Sequence, residues 1–229
     1  MIEEPAPLRI ARDLRRPAAD QVAAIAAHPT GFVVDAMGGA GAMAAGIAPL
    51  PGLPDRACGP ALVAGNRPGD LLGTLAAVAF AEAGDIVVAE TQGFQGCAAA
   101  GDRVLGMLKN RGAAGFVTDG PMRDLEGVQA VGLPVWATGL TPNSPVSHGP
   151  ATLGLPAQVG GVRVAQGDVV LADCDGVVVV PFDMLDRVIA ALDVVAQAEH
   201  AMDAEVAAGR HEPGLIRAML DSGDGVQWV

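Results

Sequence analysis

The chain has 229 residues, of which 51% are apolar, only 3% are aromatic, and none is tyrosine. That length and composition suit one well-buried core of small aliphatic side chains and exclude wholesale disorder. The 14 basic residues against 26 acidic ones leave a net charge of −12, which repels phosphate backbones and argues against a nucleic-acid partner.

In chain order, the first residues, MIEEPAPLRIARDLRR, contain no apolar run of the secretory kind. The apolar stretch 71–84 is too short for a membrane span and carries Glu82. Cys58, Cys97 and Cys174 are odd in number and form no CxxC pair, as expected of thiols in a reducing compartment. A cytoplasmic protein with no membrane partner is expected.

Patterning predicts a helix near 18–27, strands at 31–34 and 61–65, a helix near 70–83, and a strand at 85–89. A helix near 102–111, a strand at 115–119, a helix near 124–130 and a strand at 134–138 follow. This alternation favours parallel crossover units. Strands at 162–165, 168–172 and 176–180 crowd together, so antiparallel pairing is expected there. The Pro- and Gly-rich stretch 141–161 reads as one long loop. A single mixed α/β domain over 1–229 follows, with extensions at about 1–17 and 210–229.

The last predicted helix, 184–208, repeats Leu185, Val188, Leu192, Val195, Glu199, Met202 and Val206 on one face. Glu199 thus sits on an apolar seam, where a carboxylate is costly without a cation, a donor or water. The plainer alternative is a seam that turns ragged near its end and leaves Glu199 solvated.

The chemistry concentrates in 96–124, GCAAAGDRVLGMLKNRGAAGFVTDGPMRD. Asp102 opens a predicted helix, and Arg123-Asp124 follow a predicted strand, where α/β sheets place their ligand crevices. Two carboxylates and a guanidinium beside glycines suggest a hard divalent cation and a small anion. Either aspartate could instead be only a helix cap. The glycine spacing is Walker-like, but Asp102-Arg103 stand where Lys and Ser/Thr are required, which rejects nucleotide binding. The four histidines lack zinc spacing, no GxSxG elbow occurs, and Cys97 has no His partner nearby in sequence. Asp35 reads as a turn residue near a strand end.

The segment GDRVLGMLKNRGAAGFVTDGPMRD, with CGPALVAGNRPGD (58–70), AGDIVVAE (83–90) and GDVVLADCDGVVVVP (167–181), resembles the RraA-like family. That family includes the class II 4-hydroxy-4-methyl-2-oxoglutarate / 4-carboxy-4-hydroxy-2-oxoadipate aldolases. The resemblance covers about 30–209 and implies an α-β-β-α sandwich of the swivelling-domain type, forming homotrimers or homohexamers with active sites between subunits. It implies Mg²⁺ or Mn²⁺ bound directly by Asp124 and, through water, by Asp102 and by Glu199 of a neighbouring subunit. It further implies that Arg123 contacts the pyruvate oxygen and that the backbone amides of Gly101, Asp102, Arg103 and Val104 hold the substrate carboxylate. Gly120-Pro121-Met122, where the family carries small residues, suggests an altered substrate shape, and Gln166 replaces the family's usual proline.

The expected activity is cleavage of a 4-hydroxy-2-oxo acid to pyruvate, with oxaloacetate decarboxylation as a companion. One alternative is a non-catalytic regulator that binds a ribonuclease or helicase through its acidic surface. Another is a different 2-oxo-acid lyase or hydratase on the same metal site.

Overall fold

The computed structural model describes residues 6–229; residues 1–5 of the expected N-terminal extension lie outside the described residues. The elements run β1 (Leu8–Ile10), α1 (Ala19–Ala26), α2 (Thr30–Ala36), β2 (Ala48–Pro49), β3 (Ala57–Asn66), α3 (Leu72–Phe80), β4 (Ile86–Glu90) and α4 (Asp102–Asn110). They continue with β5 (Gly115–Thr118), α5 (Leu125–Val131), β6 (Val135–Ala137), β7 (Ala151–Leu153), β8 (Ala157–Val159), β9 (Val162–Val164), β10 (Val169–Asp173), β11 (Gly176–Val180), α6 (Leu185–Ala207) and α7 (Gly214–Ser222). The described residues divide into two compact units, the first ending at Leu192 and the second running Asp193–Val229.

The first unit is a mixed α/β structure built on the order β1-β7-β3-β4-β5-β6-β2. Strands β3, β4, β5 and β6 are mutually parallel, joined by α3, α4 and α5 as the sequence rhythm requires. The first half of β3 leaves this sheet to pair antiparallel with β10, which pairs antiparallel with β11. Residues of β3 alternate between two cores, the pattern of a strand buried on both faces. Leu62 and Ala64 pack with Leu105, Leu108 and Val128 of the helices, while Ala61 and Val63 pack with Val170, Val177 and Val179 of the second strand layer. The outer face of that layer, Val169, Leu171, Val178 and Val180, is covered by Ile25, Val33, Leu185, Val188 and Leu192. The layers are therefore helix, strand, strand, helix.

The predicted strand at 31–34 is instead helix α2, and with it Asp35 lies exposed on a helix rather than in a turn. Tertiary contacts override the β propensity of Phe32-Val33-Val34 here. Pro29 stands in the extended conformation before the first turn, the backbone N–H of Thr30 donates to Asp173 Oδ2 at 2.8 Å, and Val33 is fully buried against the β10–β11 layer. The stretch 141–161 contains β7 and β8, so it is only partly loop. The expected N-terminal extension includes β1, which pairs with β7 at Leu8↔Ala151. The expected C-terminal extension includes α7.

Among the described residues no helix is long and apolar enough to cross a membrane. In the second unit the α6 seam continues beyond Leu192 into exposed apolar positions: Met202 is 46% and Val206 57% exposed. Unit two also exposes Leu215, Ile216 and Leu220 of α7.

Candidate active site

The loop after β5 carries the site. Its backbone is threaded between two neighbours: Met122 forms bridges to Ala100 on one side and Leu140 on the other. The Met122 N–H donates to Gly139, Thr141 N–H donates to Met122, and Arg123 N–H donates to Ala100 at 3.2 Å. The Met122 side chain is fully buried in the helix-side core. It does not itself line the cleft.

Arg123 and Asp124 emerge beyond this crossing. Their side chains are 34% and 45% exposed, enough to meet a ligand, and Arg123 Nε lies 3.1 Å from Asp124 Oδ2. Arg123 Nη1 donates to the Ser144 hydroxyl. Asp124 is left-handed at φ 60° and ψ 45° and makes no capping hydrogen bond to α5. A left-handed aspartate costs on the order of 1 kcal/mol, so the plain capping alternative leaves its geometry without a return.

Gly101 lies directly under this pair. A Cβ there would stand 2.6 Å from Asp124 Oδ2 and 3.1 Å from Arg123 Cγ. Asp102 is the first residue of α4, with Gly101 at the cap position, so it does not cap that helix; Asp124 stands at the N-cap position of α5 but its side chain makes no capping bond. Its Oδ2 lies over Gly127 of α5, where a Cβ would come within 2.5 Å. Its Oδ1 accepts the Arg103 N–H at 2.7 Å. A carboxylate reaching that amide would displace the bond, while the other first-turn amides of α4 have no intrahelical acceptor.

The cleft has a volume of about 340 Å³, between Arg123, Asp124 and Leu125 on one wall and Leu140, Thr141 and Pro142 on the other. The structure thus brings Gly101, Arg123 and Asp124 together and sets Asp102 against the adjoining helix. Arg103 is exposed and Val104 half-buried on α4's first turn. Glu199 is half-buried on the part of α6 that belongs to the second unit.

Sequence reasoning missed Ser144 and Asn143, which only the fold brings to the site, and Asp119. Buried Asp119 accepts from the Thr91 N–H and hydroxyl and from the Gly93 N–H, fastening the start of the glycine-rich loop to the end of β5. Burial pushes the Cys97 thiol up, which disfavours a thiolate in that loop.

Hard carboxylate oxygens on a glycine bed fit a divalent cation that keeps most of its waters. Among the described residues, the one three-donor group with ligand atoms within 4.8 Å of one another is elsewhere, at Asp173, Cys174 and Asp175. Asp173 there already accepts three hydrogen bonds, from Thr30 N–H, the Thr30 hydroxyl and Asp175 N–H.

Fold and site together define a four-layered α/β protein with an acidic, arginine-bearing cleft after a parallel strand. The chain belongs to the RraA-like family, whose profile, described as Aldolase/RraA, matches residues 30–179. A protein of Halalkalibacterium halodurans named "Putative 4-hydroxy-4-methyl-2-oxoglutarate aldolase" is 37% identical over 153 residues, 67% of this chain and 72% of that protein. A Thermus thermophilus protein of the same name is 31% identical over 99 residues, 43% of this chain and 60% of its own length. Among solved structures, Streptomyces coelicolor RraAS2, described as an unusual member of the RNase ES inhibitor RraA protein family, superposes with a TM-score of 0.71 at 28% identity. That match covers 83% of this chain and all of that one. An uncharacterized Pseudomonas syringae protein shares the fold with a TM-score of 0.75 at 22% identity, covering 88% and 94%.

Proposed function

We propose that this protein is a divalent-metal-dependent lyase that cleaves a 4-hydroxy-2-oxo dicarboxylic or tricarboxylic acid to pyruvate and also decarboxylates oxaloacetate. The observation that carries the reading is the Arg123–Asp124 pair, held in a strained turn directly over Gly101 at the mouth of a cleft. The aldolase names of relatives support it.

In the reaction the C3–C4 bond breaks, C4 becomes a carbonyl as its hydroxyl gives up a proton, and the electron pair passes to C3. Delocalised onto the 2-oxo oxygen, that pair forms an enolate, which takes a proton at C3 to give pyruvate. Oxaloacetate reaches the same enolate by losing CO₂. Asp124 would hold a cation (Mg²⁺ or Mn²⁺), with Asp102 and Glu199 reaching it through water, and the bound cation would supply positive charge to stabilise an enolate.

The protein's own part is electrostatic and positional. Arg123 donates to the oxygen on which charge develops, where a preorganised donor is worth most. The α4 first-turn amides at 101–104 orient the substrate carboxylate. Asp102, through water, accepts the proton of the 4-hydroxyl. Glu199 acts from a neighbouring copy of the chain, in a trimer or hexamer. The exposed apolar seam around it on α6 supports that assembly, because Met202 and Val206 present a face suited to another surface.

The test is pyruvate release from 4-hydroxy-4-methyl-2-oxoglutarate and from oxaloacetate before and after EDTA, with Mg²⁺ or Mn²⁺ restored. Loss on stripping and recovery on reloading are expected; turnover that persists without metal would overturn the role of Asp124. The likeness to an RNase ES inhibitor family and the charge of −12 favour a second reading, a regulator that binds a basic protein partner. Capture of a ribonuclease or helicase by a protein inert towards both acids would install that reading instead.

A further inference from the structure

We infer that Ser144 is the positioning residue for Arg123, the anchor that keeps the guanidinium pointed into the cleft; this rests on the lyase reading above for its consequence, though not for its geometry. Arg123 has two partners in the structure, Asp124 Oδ2 through Nε and the Ser144 hydroxyl through Nη1. They differ in what they can do during turnover. Asp124 is the carboxylate assigned to the cation, so its hold on Arg123 weakens whenever its oxygen is engaged elsewhere. Ser144 has no such competing duty.

Ser144 is also a fixed point. It sits between Pro142 and Pro145 in TPNSP, where one ring fixes its own backbone and the other biases Ser144 towards extended geometry. The turn is tied to three segments. Thr141 N–H donates to Met122 at 2.9 Å, and the Asn143 carbonyl accepts Ala98 N–H at 3.0 Å while its side-chain amide donates to Gly96 at 2.9 Å. Val146 exchanges bonds with Gly69 and Leu71, both at 2.9 Å. An exposed serine on a slack loop could not orient an arginine, because the cost of ordering the loop would offset the bond. Here the loop is already ordered by bonds that do not involve Ser144. One Nη1 hydrogen goes to the anchor, and the remaining Nη hydrogens keep the planar fork available to an enolate oxygen.

The consequence is specific. Charge on the 2-oxo oxygen is greatest after C–C cleavage, so a misdirected guanidinium weakens the transition state more than the bound substrate. Ser144→Ala should lower kcat about tenfold, the size of one charge-assisted hydrogen bond, and leave KM within about threefold. The inhibition constant of oxalate, an enolate mimic, should rise in step with the fall in kcat. The thermal midpoint should move by no more than about 2 °C, as for a surface substitution. Ser144→Thr, which retains the hydroxyl, should restore most of the rate.

A second readout needs no turnover. The Arg123 Nε–H resonance, assigned by its disappearance in Arg123→Lys, should be sharp in the wild type and broadened in Ser144→Ala. Unchanged kcat and an unchanged resonance in Ser144→Ala would overturn the inference, as would a Thr variant no better than Ala. A wild type inert towards both acids whose Arg123 resonance still depends on Ser144 would sink the lyase reading and leave the anchor standing.

Discussion

Asp173 ends a strand of the first unit and Asp124 follows one, and they are opposite kinds of carboxylate. Asp173 closes β10, is 6% exposed, and accepts hydrogen bonds at 2.8, 2.8 and 3.0 Å from Thr30 N–H, the Thr30 hydroxyl and Asp175 N–H. Its carbonyl takes the Trp136 indole N–H as well. Asp124 is half-exposed in a left-handed turn, with Arg123 as its ion-pair partner and two glycines, Gly101 and Gly127, clearing the space around it and Asp102. A carboxylate whose lone pairs are spent on backbone donors is a fastener; one kept in a costly conformation with its oxygens open is available for chemistry. Simple proximity of acidic groups picks out the first, while geometry picks out the second.

The largest expected contrast follows directly. Asp124→Ala and Arg123→Ala should each cut pyruvate release by about 10²–10³-fold with circular dichroism and oligomeric state unchanged. Asp173→Ala should do the reverse. Stranding the donors of Thr30 and Asp175 should cost on the order of 3 kcal/mol of stability, read by urea denaturation, while the molecules that remain folded turn over normally. If Asp173→Ala loses activity at full stability, the two roles have been assigned the wrong way round.

Gly101→Ala sharpens the comparison at lower amplitude. The backbone there is extended, at φ −141°, so alanine is not strained. The added methyl instead meets Asp124 Oδ2 at 2.6 Å and must push the carboxylate or Arg123 aside. A displacement of that size should cost about tenfold in kcat/KM with little change in melting. Full activity in Gly101→Ala would mean that the glycine bed is not what holds the pair in place.

Much of this was legible in the sequence because the relevant patterns are local. Alternation of Val-rich runs with amphipathic stretches located β3 to β6 and the helices between them, and Gly101-Asp102 and Arg123-Asp124 were marked by their place at element ends. What was hidden depends on contacts distant in sequence. Phe32-Val33-Val34 has strand composition but becomes helix because Asp173, far along the chain, takes the amide of Thr30. Strands β1 (Leu-Arg-Ile) and β7 (Ala-Thr-Leu) hold no valine, the residue that marks the predicted strands, and exist because they pair with each other and β7 with β3. Ser144 gave no signal at all: a serine in a Pro-rich loop gains meaning only when the fold lays that loop against Arg123.

The finest test separates the Asp124 backbone from its carboxylate. Asp124→Gly and Asp124→Ala both remove the oxygens, so both should lose activity to the same extent, and both lose the same half-exposed pair with Arg123. They differ in what φ 60° costs. Glycine adopts it freely, whereas alanine has a Cβ facing the following carbonyl, a penalty of about 1 kcal/mol. Glycine's greater freedom in the unfolded chain offsets part of that difference but not its sign while the turn stays left-handed. The turn is held from outside, by Arg123 N–H on Ala100 before it and Val128 N–H on Asp124 after it, so it should stay. The glycine variant should therefore melt about 1–3 °C above the alanine variant, by calorimetry at matched concentration. Equal midpoints would mean that the turn relaxes once the carboxylate is gone, and that the oxygens hold the strain in place rather than the bonds on either side.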